Sequence, residues 1–179
     1  MTEGKPDNVL VAGAVRGDGD SFTELCERYY GPMVAIAHAI LGDRHWAEDA
    51  AQQAFAKAAV SLPKLRQPEQ FGSWLAAICR NAARDLIRTA ERHCSAGKLP
   101  EMGAEPQDDD MGEAVREALR RLEPSAREVI YLRFYDGLSY EQISAALGIS
   151  EQAINGRLRR AKRALAEYLK REGLGEVQI

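Results

Sequence analysis

A chain of 179 residues, 45% hydrophobic and 28% charged, has room for one large or two small domains and the balance of a water-soluble globular protein. No apolar run approaches the roughly 20 residues that cross a bilayer, and Met1 to Leu10 carries Glu3, Pro6 and Asp7 where a secretion signal needs an apolar centre, so a cytoplasmic location is expected. A net charge of −3 argues against binding polyanions until it is divided along the chain.

Residues 1–20 read as an N-terminal segment, and three amphipathic helices follow over 21–90. In the first, Phe22, Leu25, Cys26, Tyr29, Met33, Ile36, Ala37 and Ile40 recur at three- and four-residue steps, the spacing of one buried face. Gly31-Pro32 interrupts that face and predicts a kink or a break. Asp43 is placed to cap the second helix, with Trp46, Ala50, Ala54, Phe55, Ala58 and Leu62 inward and Pro63 closing it. The third begins near Pro68, with Phe71, Trp74, Leu75, Ile78, Ala82 and Leu86 on one side. Residues 91–112 hold glycines, prolines and the run Asp108-Asp109-Asp110 with little to bury, the composition of a flexible acidic linker.

Four more helices are predicted over 113–172. Val115, Leu119 and Leu122 mark the first. Pro124 opens the second where its missing N–H costs least, with Val129, Ile130, Leu132 and Phe134 packing and Gly137 ending it. Ser139 and Gln142 form a capping box for the third, and Ser150 caps the fourth, whose inward stripe is Ile154, Leu158, Ala161, Leu165 and Leu169. No strand pattern survives. The fold class is all-α: two helical domains joined by the linker.

Charge follows this division. Residues 115–171 carry twelve Lys and Arg against seven Asp and Glu, a balance of +5; residues 91–114 carry two against seven, a balance of −5. The positive field is concentrated on the last helices. Cys26, Cys79 and Cys94 are widely spaced with no C-x-x-C pair, so free thiols are expected rather than a disulfide or a metal site. His38, His45 and His93 have no paired acid at workable spacing and no phosphate-binding loop is present, so neither catalysis nor a cofactor is expected.

The last two helices carry the sharpest signal. A short helix, the turn at Gly148 and a long arginine-bearing helix have the layout of a helix-turn-helix, with Ile143, Leu147, Ile149 and Ile154 as its small core. The opposite face then presents Gln152, Asn155, Arg159 and Arg163, flanked by Arg157, Arg160 and Lys162. Amides pair with adenine edges, and arginine with guanine edges or phosphates. Gly156 lets the helix come close to a sugar-phosphate wall, at a helix-propensity cost of about 1 kcal/mol. In the first half, Trp74 shares a helix with Arg80, Asn81, Arg84 and Arg88, an aromatic surface beside cations as single-strand binding requires. A buried tryptophan beside solvated arginines explains those residues equally well.

Order and spacing resolve this. The phrases F-T-E-L-C-E-R-Y-Y, L-G-D-R-H-W-A-E-D-A-A-Q-Q-A-F and F-G-S-W-L-A-A-I-C-R-N-A-A-R-D-L-I-R resemble region 2 of the extracytoplasmic-function sigma factors of bacterial RNA polymerase. L-E-P-S-A-R-E-V-I-Y-L-R-F-Y-D-G-L-S-Y-E-Q-I-S followed by R-L-R-R-A-K-R-A-L resembles their region 4. The resemblance spans Phe22 to Arg88 and Val115 to Leu169. It implies a factor that binds core polymerase through the β′ clamp helices and the β flap and directs promoter-specific initiation, with an anti-sigma protein as a further partner.

Residue by residue, Asp49, Gln52, Gln53 and Phe55 match the surface for the clamp helices. The loop from Lys64 through Arg66 and Gln67 to Gln70 matches the segment that captures a flipped minus-10 base. Trp74, Arg80, Asn81, Arg84 and Arg88 match the helix that holds the opened strand, and Gln152, Asn155, Gly156, Arg157, Arg159, Arg160 and Arg163 the minus-35 reading helix. The acidic linker would thread toward the RNA exit path. The chain departs from the usual pattern at Gln53, Ala59, Ser144 and Ala153, where an acid, an aromatic, an alanine and a threonine are frequent. A stand-alone helix-turn-helix regulator is the alternative; it would need a ligand pocket or dimer face in the first half.

Overall fold

The structure, a computed structural model, describes residues 5–94, 110–135 and 137–173. Its helices are α1 (Asp7–Val15), α2 (Gly19–Leu41), α3 (Arg44–Ser61), α4 (Phe71–Cys94), α5 (Asp110–Arg121), α6 (Pro124–Ile130), α7 (Tyr140–Leu147) and α8 (Glu151–Arg171). Two short 3-10 turns, Leu62–Lys64 and Pro68–Gln70, join α3 to α4. Helices α1–α4 form a first lobe and α5–α8 a second. The expected linker is shorter than 91–112 at both ends, since residues 91–94 continue α4 and 110–112 open α5; residues 95–109 lie outside the described residues, as do the side chains of Glu91, His93 and Cys94.

The helix ends follow the local chemistry. Asp43 accepts from the Trp46 amide, and Ser150 from the Ala153 amide, each satisfying a donor that has no partner inside its helix. Ser139 and Gln142 make the reciprocal capping box, and Gly148, at φ +66°, closes α7 in the left-handed conformation. Pro124 stands at the start of α6, where Glu123 caps the Ser125 and Ala126 amides.

Helix α2 differs from the expectation. It runs unbroken for 23 residues through Pro32, and every residue from Pro32 to Ala37 is buried, not one face alone. The cause is its position. Helices α1, α3 and α4 pack on it from one side, while α6 and the turn Tyr131–Tyr135 pack on it from the other. Burial on both sides outweighs the single hydrogen bond that proline removes.

The segment 1–20 holds α1, which the sequence reading left without structure. Leu10 and Val11 are buried against the first lobe, and Asp7 pairs with Arg28 at 2.5 Å and accepts from the Tyr29 hydroxyl. Burial and the neighbouring carboxylate push that phenol well above its usual range.

Phe134 also corrects the sequence reading: it is 54% exposed rather than packed. Residues Tyr131–Tyr135 form a π-turn, whose extra residue per hydrogen bond rotates the following side chains off the inward stripe. Leu132 remains buried and Phe134 is carried to the surface. No described helix is long and apolar enough to cross a membrane.

Cys79 is fully buried, its thiol donating to the Met33 carbonyl, and burial raises its pKa to about 12. The thiol is therefore neutral at pH 8, and the thiolate is the reactive form. Native protein should leave Cys79 unalkylated by iodoacetamide at pH 8, while unfolding in guanidinium exposes it; peptide mapping by mass spectrometry reads the difference.

Candidate nucleic-acid interface

The second lobe builds its polar face on the stripe that anchors α8. With Ile154, Leu158, Ala161, Leu165 and Leu169 all buried, the 3.6-residue period turns Gln152, Asn155, Arg159, Arg160 and Arg163 to solvent, while Gly156 and Arg157 are half-buried. A Cβ added at Gly156 would meet only a terminal nitrogen of Arg160 at 3.6 Å, an ordinary contact. Nothing within the fold therefore requires glycine there.

Beside this face lies a cleft of about 390 Å³ lined by Asn155, Arg159 and Lys162 of α8 and by Arg133, Phe134 and Tyr140 from the α6–α7 connection. The Arg133 guanidinium lies over the Tyr140 ring at 5.6 Å and donates to the Leu138 carbonyl at 2.7 Å. The Lys162 ammonium stands 4.8 Å from the centre of the exposed Phe134 ring. Sequence reasoning missed Arg133 and Tyr140 as part of this face. Their signal was the alternation of arginine and aromatics in R-F-Y and S-Y, but only the π-turn brings the two stretches together.

In the first lobe, Lys64, Arg66 and Gln67 are exposed on the connection between the two 3-10 turns, and Asn81, Arg84 and Arg88 are exposed along α4. Trp74 is half-buried, its ring 5.9 Å from Phe71, so it serves the core as well as the surface. Arg88 pairs with Asp85 at 3.3 Å, an exposed contact of little energetic weight.

Arg80 is only partly open to solvent. Its Nε donates at 2.8 Å to Glu128 of α6, whose side chain is 9% exposed, so the lobes meet at one of the residues expected to hold DNA. Other contacts cross the same boundary. The N-terminus of α4 lies against α7 so closely that a Cβ on Gly72 would fall 2.5 Å from the Ala145 carbonyl oxygen. His38 packs on Tyr131 and Tyr135 at 4.8 and 5.1 Å, and Arg44 donates to the Tyr135 hydroxyl at 3.0 Å.

The residues expected to meet polymerase divide. Asp49, Gln52 and Gln53 are exposed on α3. Phe55 is only 8% exposed and belongs to the core; the ring on the surface is Tyr30, stacked 6.5 Å above it and 41% exposed. Phe55 lies on the alanine side of α3 with Ala51, Ala54 and Ala58, the side α3 turns to the interior, and this corrects its assignment.

Two family models match the chain: Sigma-70 region 2 over residues 25–93 and Sigma-70, region 4 over residues 112–165. Among its relatives is the ECF RNA polymerase sigma-E factor of Escherichia coli K12, 30% identical over 92% of this chain and 95% of its own. Two solved structures share the fold. CnrH in complex with the cytosolic domain of CnrY superposes with a TM-score of 0.59 at 28% identity, over 93% of this chain and 98% of that one. The sigma factor RpoE of Bartonella quintana, in complex with the anti-sigma factor NepR, gives 0.54 at 25%, over 84% and 98%. The chain spans between 41% and 64% of the length of three other curated relatives it matches.

Glu128→Ala should remove the anchor that holds Arg80 across the boundary, at a cost of about 1–3 kcal/mol to the lobe–lobe contact. Small-angle X-ray scattering should show a larger radius of gyration with unchanged helicity by circular dichroism. An unchanged radius would mean that the apolar contacts alone keep the lobes together.

Proposed function

The chain belongs to the extracytoplasmic-function RNA polymerase sigma factors, and on that premise we propose that it binds core polymerase in the cytoplasm and directs initiation at its own promoters. The supporting observation is the coexistence of two cationic faces, one on a helix-turn-helix and one on a helix beside a tryptophan, in a single chain. A duplex reader needs only the first.

The division of labour follows from the side chains. Helix α8 enters the major groove of the minus-35 element, with Gln152, Asn155 and Arg159 reaching base edges and Arg157, Arg160 and Arg163 meeting phosphates. Arg133 and Tyr140 at the α6–α7 connection, with Lys162 of α8, widen that face. Lys64, Arg66 and Gln67 receive a flipped minus-10 base, and unstacking it costs a few kcal/mol that Trp74, Asn81, Arg84 and Arg88 offset by stacking and phosphate contact. Asp49, Gln52 and Gln53, with the exposed edge of Tyr30, meet the polymerase clamp.

Arg80 joins the strand-holding set only after it parts from Glu128, so the described arrangement is that of the free or restrained factor. Polymerase must separate the lobes before both faces can reach one promoter. An anti-sigma protein that prefers the closed form would act on the same equilibrium in reverse.

The test is run-off transcription with purified core polymerase on promoters identified by sequencing the transcripts that appear on overexpression. Transcripts should require both core enzyme and this chain; tight binding of the free protein to duplex DNA with no transcript would identify a stand-alone regulator instead. Arg159→Ala should weaken minus-35 binding by about 1–3 kcal/mol and relax the base preference at the position it reads. Gly156→Ala should raise the stability of the lobe by about 1 kcal/mol in thermal melts and still lower affinity for the minus-35 duplex, because the added methyl occupies the line of approach.

A further inference from the structure

Helix α1 precedes the stretch 25–93 that matches region 2. It nevertheless packs against both 3-10 turns of the connection that carries Lys64, Arg66 and Gln67, as well as against α2 and α4. Burial of Leu10 and Val11 accounts for its attachment to the lobe. It does not account for a second, polar tie.

That tie begins at Arg28, whose guanidinium donates to the Lys5 carbonyl at 2.8 Å and to the Asp7 carboxylate at 2.5 Å, holding the start of α1. Asp7 in turn accepts from the Tyr29 hydroxyl. A phenylalanine ring would fill the same space; a buried hydroxyl needs an acceptor, and α1 supplies it. Tyr29 is 4% exposed, and its ring stands edge-on to Phe71 at 5.4 Å. The next residue is closer still, since a Cβ on Gly72 would fall 2.7 Å from the Tyr29 ring. The first turn of α4 therefore rests on this ring without slack. Contact continues from there in both directions. Phe71 meets the Trp74 ring at 5.9 Å, and the Ser73 hydroxyl donates to the Gln70 carbonyl at 3.1 Å, joining the second 3-10 turn to α4.

We propose that α1 is a positioning element for strand capture: Asp7, acting through Tyr29 and Phe71, fixes where Trp74 and the Lys64–Gln70 connection stand to receive a flipped base. The inference rests on the assignment of that connection and of Trp74 to the minus-10 strand. A ring and its neighbouring cations offset the cost of unstacking most fully when they are held in place beforehand. A loop that must be ordered on binding loses part of that gain. Asp7 and Tyr29 are positioning residues and touch no base themselves.

The test uses the full chain assembled with core polymerase and fluorescent single-stranded minus-10 oligonucleotides of the promoter found by transcript sequencing. The strand is intact or carries an abasic site at each position in turn, and binding is read by anisotropy. The wild type should lose about tenfold in affinity at one abasic position, that of the captured base. Tyr29→Phe and Asp7→Ala should bind the intact strand about 3- to 10-fold more weakly. They should bind that abasic strand as the wild type does, since the base they help to receive is absent. Binding to minus-35 duplex and to core polymerase should not change, and Val9→Ala on the exposed side of α1 should leave every value as it is. Circular dichroism melts keep the comparison to temperatures at which each variant is folded. Equal weakening on intact and abasic strands, or weakening on neither, would overturn the proposal and leave α1 a purely structural role. A wild type indifferent to every abasic site would overturn the minus-10 reading itself, and this inference with it.

Discussion

A carboxylate removed from water must have a cation beside it, and Glu128 has one only while the two lobes are in contact. Its side chain is 9% exposed, and Arg80 of the other lobe is the partner. An isolated buried charge costs several kcal/mol, whereas an exposed pair contributes almost nothing. The pair therefore acts less as glue than as a condition. The lobes can separate only if Glu128 regains water or another cation, and Arg80 becomes available to a phosphate in the same movement. A single contact thus couples the geometry of the whole chain to the face expected to hold the opened strand.

The rest of the boundary is built to allow such a movement. An inter-domain contact intended to be permanent is normally large and apolar. Here the closest approach is made through glycine backbone, with Gly72 against the Ala145 carbonyl and Gly148 against the Ser73 side chain, and neither glycine offers a side chain that would interlock. Gly148 must in any case be glycine for its positive φ, so the turn of the helix-turn-helix doubles as the docking point. The aromatic cluster of His38, Tyr131 and Tyr135 adds edge contacts that tolerate sliding. Yet α2 depends on the second lobe to cover one of its sides, since the residues from Pro32 to Ala37 are buried all round. Opening exposes part of that surface, and whatever replaces the second lobe on α2 determines how far the equilibrium moves.

What could be read from the sequence was what depends on near neighbours. The caps at Asp43, Ser139 and Ser150 involve residues three apart, and the inward stripe of α8 repeats at steps of three and four; both are visible in a linear string and both are present. The resemblance to two sigma regions likewise rested on phrases each shorter than 25 residues. The misreadings have the opposite character. Pro32 lies within a continuous helix because distant segments cover it, and Phe134 turns outward because one π-turn shifts the register. Phe55 was assigned to a partner surface although its helical position among alanines already placed it inward. Arg80 and Glu128 are 48 residues apart, and no local pattern announces that they meet.

The charge distribution gives the closed form its particular balance. The second lobe carries the excess of positive charge, and part of it, on α5 and α6, faces the first lobe rather than DNA. Had that charge served only the promoter, it would be expected on α8 and its flanks. Instead Arg116, Arg120 and Arg127 converge on the end of α2, where they gain nothing from a duplex bound to α8. Arg44 and Arg120 already pair with Glu48 and Glu117 on their own helices, so much of this charge is balanced within each lobe. The balance between closed and open populations then rests on the Arg80–Glu128 pair and the apolar cover of α2. A few kcal/mol suffices to invert such a population. A fold that sets Arg80 against a buried Glu128 at its lobe boundary ties the exposure of one expected DNA-binding residue to the separation of the lobes.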